Sequence, residues 1–208
     1  EAFISEMAEK HHFNPDDLRR IFSQVKPQPE VLRAISVPAT AVPWNEYRAL
    51  FINPTRIADG VKFWDDNAEA LSRARQQYGI PEEIIVATIG VETRYGRNTG
   101  SYRVLDTLTT LAFDYTQRAA FFKRELEQFL LLAREARIDP LSIKGSYAGA
   151  MGIPQFIPSV YRRYAVDFGG DGKSDLLWRN AATTAVAAWQ MNGLAPSSSG
   201  YIFSASRW

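Results

Sequence analysis

Cysteine is absent from the chain, which excludes a disulfide framework, a thiolate zinc site and a cysteine nucleophile together. That absence is compatible with any redox compartment and selects none. No run approaches the ~20 continuous apolar residues of a bilayer span, and nothing at the start of the chain reads as a targeting segment. Histidine occurs twice. His11 and His12 are adjacent, so they do not share a helix face as a metal pair would. An excess of charge is missing too: 24 basic and 23 acidic residues leave a net +1, too little to gather nucleic acid by a global field. There is also no phosphate-binding Gly loop opening a helix, no nucleophile-elbow motif and no basic stripe.

What is present is apolar material at helical spacing. With 208 residues, 46% of them apolar, a single domain over 1–208 can bury its own core. Asn14-Pro15-Asp16-Asp17 reads as an N-cap, a first-turn proline and first-turn acids. The stripe Leu18, Ile21, Phe22 and Val25 follows it. Residues 36–54, with Pro38, Pro43, Pro54, Trp44 and Tyr47, read as extended or loop. One long helix is expected over 54–78, then an all-round apolar helix over 81–95, which belongs in a core. Further helices are expected over 104–113, 117–137, 158–166 and 180–192. The fold class is therefore mainly α. Two segments break the helical pattern: 144–158, rich in Gly, and 167–178, rich in Gly and Asp.

Glu92 is the residue most at odds with its neighbours. Ile85, Ile89 and Glu92 stand at helical spacing, which puts a carboxylate beside core aliphatics and in the last turns before Gly96. Desolvation and the negative end of the helix dipole both raise a carboxyl pKa, the property a general acid needs near neutral pH. The competing reading is an ion pair with Arg94 or Arg97, in which the site is structural. The Gly-rich run 145–159 also has two readings. Its small residues permit tight helix packing, or they let backbone approach a ligand. In the second case Ser146 and Gln155 supply hydrogen bonds, and Tyr147 and Phe156 supply faces for a sugar ring.

Ile89-Gly90-Val91-Glu92-Thr93-Arg94-Tyr95-Gly96-Arg97, followed by Gly145-Ser146-Tyr147-Ala148-Gly149-Ala150-Met151-Gly152-Ile153-Pro154-Gln155-Phe156, resembles the paired signature motifs of the MltB-type lytic transglycosylases. Trp44-Asn45-Glu46-Tyr47-Arg48, Gly60-Val61-Lys62-Phe63-Trp64, Leu105-Asp106-Thr107-Leu108 and Arg118-Ala119-Ala120-Phe121-Phe122 fit in order, and the similarity runs over about 1–175. The resemblance implies a lysozyme-like helical core with a small additional lobe. It also implies cleavage of the β-1,4 bond between N-acetylmuramic acid and N-acetylglucosamine in peptidoglycan, without hydrolysis. The muramyl C6 hydroxyl attacks the anomeric carbon and leaves a 1,6-anhydro ring. By position Glu92 is the acid and base. Ser146 matches a serine that orients the glutamate or the N-acetyl group, and Gln155 and Phe156 match cleft-lining residues. Tyr47 and Arg118 match further cleft positions. Trp189 falls where the family has another aromatic, and a core role is its alternative. No cofactor is required. The partners implied are peptidoglycan glycan strands and other cell-wall enzymes, in the periplasm, with an outer-membrane anchor on a segment outside this sequence.

Two features depart from the family pattern. Residues 167–175 resemble the first part of an EF-hand loop, with Asp167, Asp171 and Asp175 as calcium candidates. Gly169 takes the third position and Trp178 the twelfth, so the expectation is a weak site or a structural turn. The family's core also continues past the position of Trp189 with an aromatic-rich cleft segment, which 193–208 does not resemble. A non-catalytic glycan-binding or scaffolding relative is therefore the alternative function, and hydrolysis to a reducing end is a third.

Overall fold

The computed structural model describes residues 1–36 and 42–164, together with the backbone of residues 176–179, 186–192 and 195–198. In chain order its helices are α1 (Ala2–His11), α2 (Pro15–Phe22), α3 (Pro29–Ser36), α4 (Trp44–Phe51), α5 (Pro54–Asp66), α6 (Ala68–Tyr78), α7 (Glu82–Thr93), α8 (Val104–Asp114), α9 (Ala119–Glu135) and α10 (Pro158–Tyr164). A short ribbon pairs β1 (Tyr102–Arg103) with β2 (Lys144–Gly145). An antiparallel sheet joins β3 (Leu176–Arg179), β4 (Val186–Asn192) and β5 (Ala195–Ser198) in that order. The fold is mainly α.

The α8–α9 pair is the centre of packing. Leu105, Leu108 and Leu111 of α8 meet Phe122, Leu126, Phe129 and Leu130 of α9, all buried. Burying each such side chain contributes about 1.5–3 kcal/mol, so this pair supplies much of the core. α3 packs on α8, α10 on α9 and α1 on α2. Buried polar groups on α8 hold the connection between α2 and α3. Asp106 accepts from Lys26 N at 3.1 Å and from Arg103 Nη2 at 2.7 Å, and Thr110 Oγ1 accepts from Gln28 N at 3.0 Å. At the start of α2, Asn14 Oδ1 accepts from Asp16 N at 2.8 Å, as an N-cap should.

Several expectations from the pattern are corrected. Residues 44–51 form a helix, not a loop. The chain enters it from Pro43, and Trp44, Tyr47 and Phe51 then stack along one face with ring centroids 5.9 and 4.8 Å apart. The long helix over 54–78 is two helices, α5 and α6, broken at Asn67. There the Asn67 side chain donates to Phe63 O at 2.7 Å, the local competition for backbone groups that makes asparagine a poor helix interior residue. α7 is not buried all round. Val86, Ile89, Gly90 and Thr93 form its buried stripe, while Ile84 and Val91 are 54% and 48% exposed. α5 and α6 pack on it, but they do not cover its whole circumference. The helix expected over 180–192 is replaced by strand at β4, with Leu176 opposite Trp189. A short apolar run does not separate strand from buried helix by periodicity.

Candidate active site

The end of α7 is built around an unusual turn. Arg94 N donates to Gly90 O at 3.2 Å and Tyr95 N to Ile89 O at 3.3 Å, and the first of these is the bond of a left-handed C-terminal cap. Glycine is the usual left-handed residue of that motif. Here Arg94 and Tyr95 occupy it in succession, with φ of 51° and 59°. Such backbone costs on the order of 1–3 kcal/mol per residue and needs support from its surroundings. The Tyr95 ring provides some of it. Tyr95 lies 5.4 Å from Phe63 between ring centroids, and its hydroxyl fills the space where a Cβ at Gly60 or Gly90 would lie, only 2.5 and 2.6 Å away. Arg56 Nη1 donates to Gly90 O at 2.9 Å, placing a cation at the carbonyl end of α7, where the helix dipole favours it.

Glu92 stands in the last turn of this helix, on its exposed side. It was expected to share the buried face with Ile85 and Ile89, but Ile89 is buried, Ile85 half-buried and Glu92 open to solvent. Enough protein nevertheless surrounds its carboxyl that burial pushes the pKa above the ordinary glutamate value. Area and proton affinity thus point different ways, and both hold: an open carboxyl with a partly dry flank. Among the described residues Glu92 has no ion pair or hydrogen bond. Arg94 and Arg97 do not take it. Both turn to Asp59 on α5, Arg97 Nη1 at 2.6 Å and Arg94 Nε at 3.6 Å from the same oxygen.

The Gly-rich run lies against the chain just beyond this turn. β1 and β2 pair Tyr102 with Gly145, and Gly100 comes so close to Gly145 that a Cβ there would lie 2.1 Å from its backbone. Gln155, left-handed at φ 53°, donates from Nε2 to Thr99 O at 3.1 Å and to Gly152 O at 2.9 Å. Ser146 Oγ accepts from Ala148 N at 3.2 Å and Ala150 N at 3.1 Å, so this hydroxyl shapes the loop. Phe156 exchanges backbone hydrogen bonds with Met151 at 2.8 and 3.1 Å and meets Tyr161 edge-on. Tyr147 packs half-buried against the core.

The fold therefore brings the run carrying Ser146, Tyr147, Gln155 and Phe156 to the segment that follows Glu92. Tyr47 reaches the same region through a chain of contacts: Tyr47 on Phe51, Arg56 over the Phe51 ring at 5.0 Å, and Arg56 on Gly90 O. Arg118 lies exposed in a 3-10 turn (Thr116–Arg118) with its guanidinium 4.3 Å from the Phe121 ring centroid. No contact joins it to Glu92. Trp189 is placed in β4 by its backbone alone. The calcium candidates Asp167, Asp171 and Asp175 lie outside the described residues, and among the described residues no cluster of His, Asp or Glu could hold a metal. Reading along the chain missed Asp59 and Arg56, whose partners lie 38 and 34 residues away. Tyr95 lies within the motif, but its contacts with Gly60 and Phe63 are tertiary.

Comparison with known proteins places this arrangement. The profile of the Transglycosylase SLT domain family matches residues 1–192. The membrane-bound lytic murein transglycosylase B of Escherichia coli K12 is 50% identical over 186 residues, 85% of this chain and 52% of that protein. The chain thus spans about half the length of this curated relative. The crystal structure of the soluble lytic transglycosylase SltB1 from Pseudomonas aeruginosa superposes with a TM-score of 0.79 at 54% identity, covering 88% of this chain and 62% of that one. The Escherichia coli lytic transglycosylase Slt35, solved in complex with calcium, gives 0.78 at 51% identity, over 84% of this chain and 56% of its own. With its lysozyme-like helical core and its paired motifs, the chain belongs to the Transglycosylase SLT domain family, among the MltB-type lytic transglycosylases.

Proposed function

We propose that this chain cleaves peptidoglycan glycan strands as a lytic transglycosylase, with Glu92 as its single acid and base. The observation that carries the reading is the state of Glu92: a carboxyl with no ion partner among the described residues, held above its ordinary pKa by burial, on a helix whose following segment touches the run that bears Ser146 and Gln155. A protonated carboxyl at that position can give its proton to the glycosidic oxygen as the bond from the anomeric carbon breaks. The carboxylate then takes the proton of the muramyl C6 hydroxyl as that oxygen closes onto the anomeric carbon. The proton returns to Glu92, no water is consumed and the product is a 1,6-anhydromuramyl end. A second carboxylate is not needed, because the nucleophile belongs to the substrate, in contrast to the usual paired-carboxylate glycosidase.

Gln155, Phe156, Tyr47 and Tyr147 would line the sugar path. Ser146 would serve by holding the loop that carries them. The substrate places the enzyme in the periplasm, and the name of the Escherichia coli relative describes that protein as membrane-bound. The test is digestion of purified peptidoglycan with the products weighed by mass spectrometry. Anhydromuropeptides support the reading. Products heavier by one water would make the chain a hydrolase, and binding without release would make it a glycan-binding relative.

A further inference from the structure

The two arginines nearest Glu92 in its motif are the cations from which a carboxylate would ordinarily draw an ion pair. Neither does so. Arg97 Nη1 sits 2.6 Å from Asp59 Oδ2 and Arg94 Nε 3.6 Å from the same atom. The Asp59 side chain is only 14% exposed, so it is a semi-buried anchor and not a surface ion. Arg94 Nε is itself buried and makes no hydrogen bond. It is drawn toward Asp59 without a closer partner, on backbone held in the left-handed region. We propose that Asp59 is a positioning residue: by holding Arg94 and Arg97 it keeps both guanidiniums off the Glu92 carboxylate. The proposal rests on the reading of Glu92 as the acid and base.

Several other charged groups on α5, α6 and α7 have partners of their own. On α5, Arg56 is bonded to Gly90 O, and Lys62 pairs with Asp66. On α6, Arg73 pairs with Glu69. In the first turn of α7, Glu82 accepts from Trp64 Nε1 at 2.9 Å. Tyr95 feels Arg56 and Asp59. Among the described residues none of these pairs with Glu92, whose carboxyl burial holds above its ordinary value. A guanidinium released from Asp59 would change that, since an opposite charge within about 4–6 Å lowers a carboxyl pKa by about 1–3. The acid would then lose its proton below the pH at which it must work.

The experiment is carbon NMR titration of the Glu92 side-chain carboxyl in the wild type, in Asp59→Asn, and in Asp59→Asn combined with Arg94→Gln and Arg97→Gln. Glu92 is expected to titrate about one pH unit or more lower in Asp59→Asn and to return to the wild-type value once both arginines are gone. An unchanged Glu92 titration in folded Asp59→Asn overturns the proposal. Should Asp59→Asn not fold, the wild type still decides. The Arg97 Nη1 resonance should follow the Asp59 carboxyl carbon through the titration, and a resonance that follows Glu92 instead overturns it. The basic limb of the pH–rate profile should move with the Glu92 titration. A limb that stays fixed while the NMR titration moves would leave Asp59 its role and remove Glu92 from the acid role.

Discussion

Glu92 holds a raised proton affinity at an exposed position, because one flank is dry and no charged group among the described residues pairs with it. The same physics acts more strongly on Tyr161. Its hydroxyl is buried without a hydrogen-bond partner among the described residues, and burial pushes its pKa from 10.0 up to about 12. A phenol whose folded pKa is raised contributes no penalty below its unfolded value. The folded state then binds the proton longer than the unfolded state as pH climbs, so stability falls between pH 10 and about 12. The loss over that window should be about 2–3 kcal/mol. Denaturant unfolding of wild type and Tyr161→Phe across that range checks it. The substituted protein should lack this part of the decline, and at neutral pH it should be as stable as wild type or more so, since an unsatisfied buried hydroxyl is removed.

At the scale of elements, the site depends on backbone contact between the segment after α7 and the Gly-rich run. Gly100 is left-handed at φ 95°, and a Cβ there would lie 2.1 Å from the backbone of Gly145. Neither side can yield as a flexible side chain would. Gly100→Ala should therefore destabilise the fold by more than about 1 kcal/mol and separate Gln155 from Thr99. Thermal unfolding and a glycan-release assay would report both effects, and a variant with wild-type values in each would refute this account of the junction. How well such elements can be read along the chain depends on the reach of the forces involved. α2, α8 and α9 were legible because caps, prolines and apolar stripes are local. α4 was not, since its prolines suggested a loop while its aromatic stack needed the helix to exist first. The break at Asn67 hides inside an unbroken stripe, and it is marked by the Asn67 side-chain and backbone bonds back to the end of α5. Glu92 was visible within a contiguous motif, but the partner of the arginines beside it was not. Arg97 chooses Asp59 across 38 residues, and that choice is made by tertiary packing.

Across the whole molecule, the α8–α9 core carries stability while the elements of the candidate site sit around it. Glu92 comes from α7, which packs on α5 and α6, and the Gly-rich run that touches the chain beyond α7 comes from the segment between α9 and α10. This division lets the Glu92 carboxyl stay open while its support is solid. The central claim is that Glu92 supplies both proton transfers. It is tested most directly by comparing the rate at which the wild type and Glu92→Gln release muropeptides from purified peptidoglycan, with circular dichroism confirming that both are folded. The account predicts a loss on the order of 10²-fold or more in the variant, as for removal of a general acid and base, with glycan binding retained. Release at close to the wild-type rate by folded Glu92→Gln would contradict it.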